Sequence, residues 1–155
     1  MRHAEASMTG SGRDFDRPLT PVGERDARHM GRWINESLKE PDIIVASPAL
    51  RAKQTAEIVM EELNQQHTIQ YNDELYEASI RTLLKVVNEL PDDKDVALIV
   101  SHNPALTYLG DYLTTAALDG MSPGSVVSLK FTLDSWRLIS QHSGELLEYQ
   151  TPNQL

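Results

Sequence analysis

Cysteine is absent from the 155 residues, which excludes disulfides, thiol nucleophiles and thiolate metal sites. Basic residues are scarce: 14 Lys and Arg stand against 23 Asp and Glu, for a formal net charge of −9. No basic block offsets that charge, so neither a nucleic acid nor an anionic membrane is an expected partner. No apolar run approaches the ~20 residues of a membrane span. No charged-then-apolar leader precedes Arg2, and a cytoplasmic location is expected. There is no internal repeat, linker or low-complexity tract. No spacing of His, Asp and Glu resembles a metal set, so neither a metal nor another cofactor is expected.

What is present suits one globular domain over residues 1–155, with 40% hydrophobic and 24% charged residues, enough to bury a core unaided. Residues 7–17 are polar and read as a loop. Thr20-Pro21 supplies an N-cap with proline at the first helical position. Val22, Met30, Ile34 and Leu38 then recur at helical spacing to about Lys39. Ile43-Ile44-Val45-Ala46 reads as a strand covered on both faces. Ser47-Pro48 is expected to cap a second helix whose Ala52, Thr55, Ala56, Val59 and Leu63 share a face.

Residues 68–71 read as a strand, 79–90 as a helix, 96–100 as a buried strand, and Pro104 to about Thr114 as a helix. Residues 125–133 and 136–142 are β-rich runs about a turn at Asp134-Ser135, expected to pair antiparallel at a sheet edge. The alternation predicts an α/β three-layer sandwich, a mostly parallel open sheet with helices on both faces. Ligands of such sheets bind beyond the carboxyl ends of the strands, which is where Ser47 and Ser101-His102 fall.

Two histidines and two arginines, Arg2, His3, Arg51 and His102, sit at element boundaries in three separate segments. Together they suit phosphoryl transfer, which needs a nucleophile and cations to hold a dianion. His3 is the candidate nucleophile, because flanking guanidiniums disfavour imidazolium. Taken alone, an Arg-His pair near a terminus is more often solvated and idle. Arg51 lies in the first helical turn, where amides and dipole also favour an anion, although a lone arginine there is more often a surface residue. Arg17 is a third candidate cation, about evenly balanced against a loop salt bridge. His102, if charged, would stabilise the equatorial oxygens of the transition state. Glu77 could protonate a leaving group if partly buried. His29, His67 and His142 have no supporting context.

Arg2-His3-Ala4-Glu5-Ala6, Arg17-Pro18-Leu19-Thr20, Ser47-Pro48-x-x-Arg51-Ala52-x-Gln54-Thr55 and Val100-Ser101-His102-Asn103-Pro104 occur in that order. Together they resemble the histidine phosphatase (phosphoglycerate-mutase-like) superfamily, and most closely its small SixA-type phosphohistidine phosphatase branch. The resemblance implies a metal-independent phosphatase that forms a covalent phosphohistidine on His3. It implies that Arg2, Arg51 and His102 clamp the phosphoryl oxygens, that Arg17 adds a contact, that Asn103 joins the substrate-binding set, and that Glu77 matches the acid of larger members. The expected substrate is phosphohistidine in a protein. The alternatives are a small-molecule phosphomonoesterase or mutase, and a phosphate-binding module without turnover. Relatives run a short apolar strand into the Arg-His pair. With Met1 directly before Arg2, the sheet is expected to show an open position flanked by apolar side chains and unpaired backbone.

Overall fold

The computed structural model describes residues 1–8, 12–65 and 67–155. The expected loop at 7–17 includes Thr9, Gly10 and Ser11, which lie outside the described residues; its far end is a 3-10 turn, Asp14–Asp16. Helix α1 spans Pro21–Ser37, capped as expected by the Thr20 side chain, which accepts the Gly23 amide. That bond is worth about 1 kcal/mol. The buried stripe of α1 is Gly23, Ala27, Met30, Gly31 and Ile34. Val22 is exposed, because one residue before Gly23 is a rotation of about 100° on a helix.

Strand β1 is Ile43–Ala46, α2 Leu50–Glu61, β2 Ile69–Tyr71, α3 Ile80–Asn88, β3 Ala97–Val100 and α4 Ala105–Leu113. The three strands form a parallel sheet in the order β2-β1-β3. The central strand β1 is buried at every residue. Its side chains alternate between two cores: Ile43 and Val45 pack with α3 and α4, whereas Ile44 and Ala46 pack with α1 and α2. This is the expected three-layer α/β arrangement with helices on both faces. Each large aliphatic side chain so buried contributes about 1.5–3 kcal/mol. Among the described residues no helix is long and apolar enough to cross a membrane.

The antiparallel pair near the C-terminus is β4, Val126–Phe131, with β5, Gly144–Gln150. The sequence reading placed the second strand at 136–142, and this is a correction. Residues 136–138 form a 3-10 turn instead. Asp92 accepts the Trp136 amide, the Trp136 indole donates to the Lys94 carbonyl, and Asn88 donates to the carbonyls of Trp136 and Ile139. A β-rich composition loses here to polar groups from another segment that satisfy the backbone before a strand can.

The parallel and antiparallel sheets are separate, and residues 1–3 bridge them at one end. The Met1 ammonium donates to the Ile99 carbonyl at 2.8 Å, and Arg2 pairs in parallel with Ser101. On the other side Arg2 donates its amide to Ser125, and His3 accepts from Gly124. Beyond that bridge a groove of about 680 Å³ runs between β3 and β4, lined by Met1, Leu98, Leu109, Val127, Leu129 and Phe131. Burial lowers the Met1 amine to a pKa of about 5.

Candidate active site

His3 is held from three sides. Its amide donates to the Ser101 carbonyl and its own carbonyl accepts from Gly124. The next amide, Ala4, donates to the buried Thr55 hydroxyl at 3.0 Å. Just beyond, residues 5 and 6 run against 19 and 20, with an antiparallel bridge between Ala6 and Leu19 and the Thr20 amide on the Glu5 carbonyl. Helix α1 approaches so closely that a side chain at Gly23 would overlap the Glu5 carbonyl oxygen. The nucleophile candidate therefore stands on backbone fixed by both sheets, α1 and α2.

The His3 ring is buried, and its Nδ1 lies 2.8 Å from the Ala4 carbonyl oxygen. A carbonyl only accepts, so Nδ1 carries the proton and Nε2 presents its lone pair. Nε2 faces Arg51 Nε at 3.3 Å. Burial pushes the imidazole down to about 4, opposed by the Ala4 hydrogen bond and reinforced by Arg51, Arg2 and Arg17. At neutral pH this ring is an unprotonated base beside guanidiniums.

His102 comes off the carboxyl end of β3, and its ring centroid is 5.2 Å from that of His3. Burial, then His3 and Arg51, lower its pKa to about 3. The condition set for His102, that it be charged, is therefore not met in the free protein at neutral pH. Its Nε2 lies 2.7 Å from the Ser47 hydroxyl. The other ring nitrogen, Nδ1, is buried without a hydrogen-bond partner. Ser47 was expected to cap α2, but the N-cap is Ala49, with no side-chain capping bond. The Ser47 hydroxyl serves His102 and the Ala49 amide instead.

The remaining candidates divide. Arg51 is buried in the first turn of α2 and turns its whole fork inward: Nε to His3, Nη1 to the Asp14 carbonyl at 2.8 Å, Nη2 to the Asp14 carboxylate at 3.1 Å. Arg2 donates from Nη1 to the Met121 carbonyl and leaves a buried Nε unpartnered. Arg17 reaches the same cluster, donating to the Ser7 carbonyl and to Asp14. Asn103 shares the Met121 carbonyl with Arg2, and its amide oxygen accepts from Thr107; both ends of its side chain brace the site. Glu77 is exposed, has φ 54°, and makes no hydrogen bond among the described residues. Its neighbour Tyr76 is the residue of this segment that contacts His102 and Asp14.

Asp14 and Tyr76 went unrecognised in the sequence. The Tyr76 hydroxyl donates to the Asp14 carboxylate at 2.9 Å, and its ring stands edge-on to both Phe15 and His102. Hydrogen bonds from Arg17 and Tyr76, with Arg51 nearby, bring Asp14 down to about 2. An aspartate three residues before Arg17 was the available signal, but nothing local distinguishes it from Asp16. Among the described residues no group of three or more potential metal ligands converges.

Residues 1–83 match the histidine phosphatase superfamily (branch 1). The phosphohistidine phosphatase SixA of Escherichia coli (strain K12) is 32% identical over 111 residues, covering 70% of this chain and 68% of that protein. A structure of the protein histidine phosphatase SixA complexed with tungstate aligns with a TM-score of 0.80 at 26% identity, over 99% of this chain and 96% of that one. A candidate SixA from Nakamurella multipartitia aligns with a TM-score of 0.85 at 31% identity, over 98% of this chain and 93% of that one. The family match and the shared fold agree, and the chain belongs to the histidine phosphatase superfamily.

Proposed function

We propose that this phosphatase transfers a phosphoryl group to His3 Nε2 and then to water, and that its substrate is phosphohistidine in a protein. One observation carries the reading. A buried His3 presents a neutral Nε2 to Arg51 at 3.3 Å while the Ala4 carbonyl holds the Nδ1 proton. As phosphorus approaches, Arg51 Nε passes its hydrogen bond from His3 to a phosphoryl oxygen. Arg2 Nε and His102 Nδ1, both buried without partners, complete the clamp when His102 carries its proton on Nδ1, and Arg17 adds charge at the rim. Such donors act where charge develops in the transition state, and removing one costs a factor of about 10²–10³. His3 then carries the phosphoryl group with its Nδ1 proton retained, and the leaving group departs with the electron pair of its bond to phosphorus. Water attacks phosphorus next, the bond to Nε2 breaks, and the electron pair returns to His3. A related SixA was solved complexed with tungstate, an oxyanion, which supports an oxyanion ligand for this chain.

The test is to incubate the protein with a radiolabelled phosphohistidine protein, quench it, and map acid-labile label. Label on His3, with phosphate release lost in His3→Ala, is the expected result. Undiminished release by His3→Ala would overturn the nucleophile. Oxyanion binding with neither label nor release would mark a binding module. Turnover of small phosphomonoesters alone would move the substrate to that class.

A further inference from the structure

We propose that Asp14 is the group that receives the leaving imidazole of the substrate, accepting a hydrogen bond from the ring nitrogen remote from phosphorus; this rests on the phosphohistidine reading above. The geometry locates it. An in-line transfer puts the leaving nitrogen on the far side of phosphorus from His3 Nε2. Arg51 spans that direction, with Nε on His3 and Nη2 on the Asp14 carboxylate. Asp14 therefore stands beyond the nucleophile by the reach of one guanidinium. Its side chain is 52% exposed, open to an incoming ring. A carboxylate offers about four acceptor positions, and Arg17, Arg51 and Tyr76 occupy three.

The chemistry matches what the site holds and lacks. An alkoxide leaving group needs a proton donor. Asp14 is ionised, and Glu77 is exposed and unattached. A phosphorylated imidazole protonated on its remote nitrogen needs no donor. When the phosphorus–nitrogen bond breaks, its electron pair neutralises the ring, which departs as imidazole with the remote proton in place. An ionised carboxylate on that N–H favours the protonated ring and lets it go. The nucleophile is arranged the same way, since the Ala4 carbonyl holds the remote N–H of His3. The transfer is then between two imidazoles, each with its far proton held by an acceptor.

The experiment compares Asp14→Asn with the unaltered protein on a phosphohistidine protein and on para-nitrophenyl phosphate, whose leaving group needs no proton. The expected result is a fall in phosphohistidine turnover at least about tenfold larger than the accompanying fall in aryl phosphate turnover, and recovery of phosphohistidine turnover in Asp14→Glu. Equal losses on both substrates would mean that Asp14 only holds Arg51, and would overturn the proposal. Unchanged phosphohistidine turnover in Asp14→Asn would do the same. Thermal unfolding of each variant identifies a loss of fold, in which case Asp14→Glu alone decides by the same ratio of substrates. If the unaltered protein releases no phosphate from phosphohistidine, the substrate reading itself fails, an outcome distinct from these.

Discussion

At neutral pH the pocket holds two uncharged imidazoles among arginines, and its pH behaviour follows from that. The folded values of about 4 for His3 and about 3 for His102 lie below the ordinary 6.5. Below pH 6.5 the unfolded chain binds protons that the folded chain refuses. Stability is thus unaffected by these groups above 6.5 and falls as pH drops through the window down to about 4 and about 3. The Met1 amine, lowered from 8.0 to about 5, has the same sign in the window between those values. Every tenfold loss of proton affinity on folding corresponds to roughly 1.4 kcal/mol, less whatever the pocket recovers by relaxing around the charge. Thermal unfolding midpoints should therefore decline from pH 8 to pH 4, and His3→Asn should flatten the acid limb. A midpoint independent of pH across that range would show that neither ring is held neutral. Arg51→Ala should lower kcat/KM by a factor of about 10²–10³ and weaken phosphate binding, because its charge meets ground state and transition state alike.

Helix α2 does more than carry Arg51. Its buried Thr55 hydroxyl accepts the Ala4 amide and donates to the Arg51 carbonyl, tying the His3 segment to the arginine helix. Thr55→Val keeps the shape but leaves a buried amide without an acceptor, at a cost of about 1–3 kcal/mol. Urea unfolding should register that loss, and kcat should fall while the far-ultraviolet spectrum stays unchanged. In α1, Gly23→Ala forces the helix away from Glu5 and should cost about 1–3 kcal/mol; an unperturbed midpoint would mean that residues 4–6 shift freely. Elements with strong period and caps were legible: α1 from Thr20-Pro21, β1 and β3 from aliphatic runs, and α3 from Ser79. The β5 strand was not. Its Glu145, Leu146, Leu147 and Glu148 alternate poorly, and the pairing with β4 carries an irregularity at Ser128 and Leu129.

Across the whole molecule the weak point is the groove between the two sheets. Residues 1–3 tie β3 to the segment before β4, and the apolar walls continue beyond them. Adding about five or six apolar residues before Met1 as a strand should raise stability by a few kcal/mol through pairing and burial. It also removes a buried amine that resists protonation. Differential scanning calorimetry of the extended and unextended chains tests this. Equal midpoints and equal turnover would show that the bonds of residues 1–3 suffice to aim His3.

The sequence by itself determined the layered α/β class and most element boundaries, and it singled out Arg2, His3, Arg51 and His102 as candidates. It could do so because periodicity, caps and strand-end positions are local properties, and four motifs in order leave little freedom. Tertiary structure decided the rest. The neutral state of His102 comes from burial and from the charges of other segments. The partnership of Asp14 with Arg51 and Tyr76 joins residues 37 and 62 positions apart. The division of the sheet around residues 1–3 depends on which backbones meet across the fold. Electrostatic environment and long-range pairing are set by distances in space, and a one-dimensional pattern does not contain them.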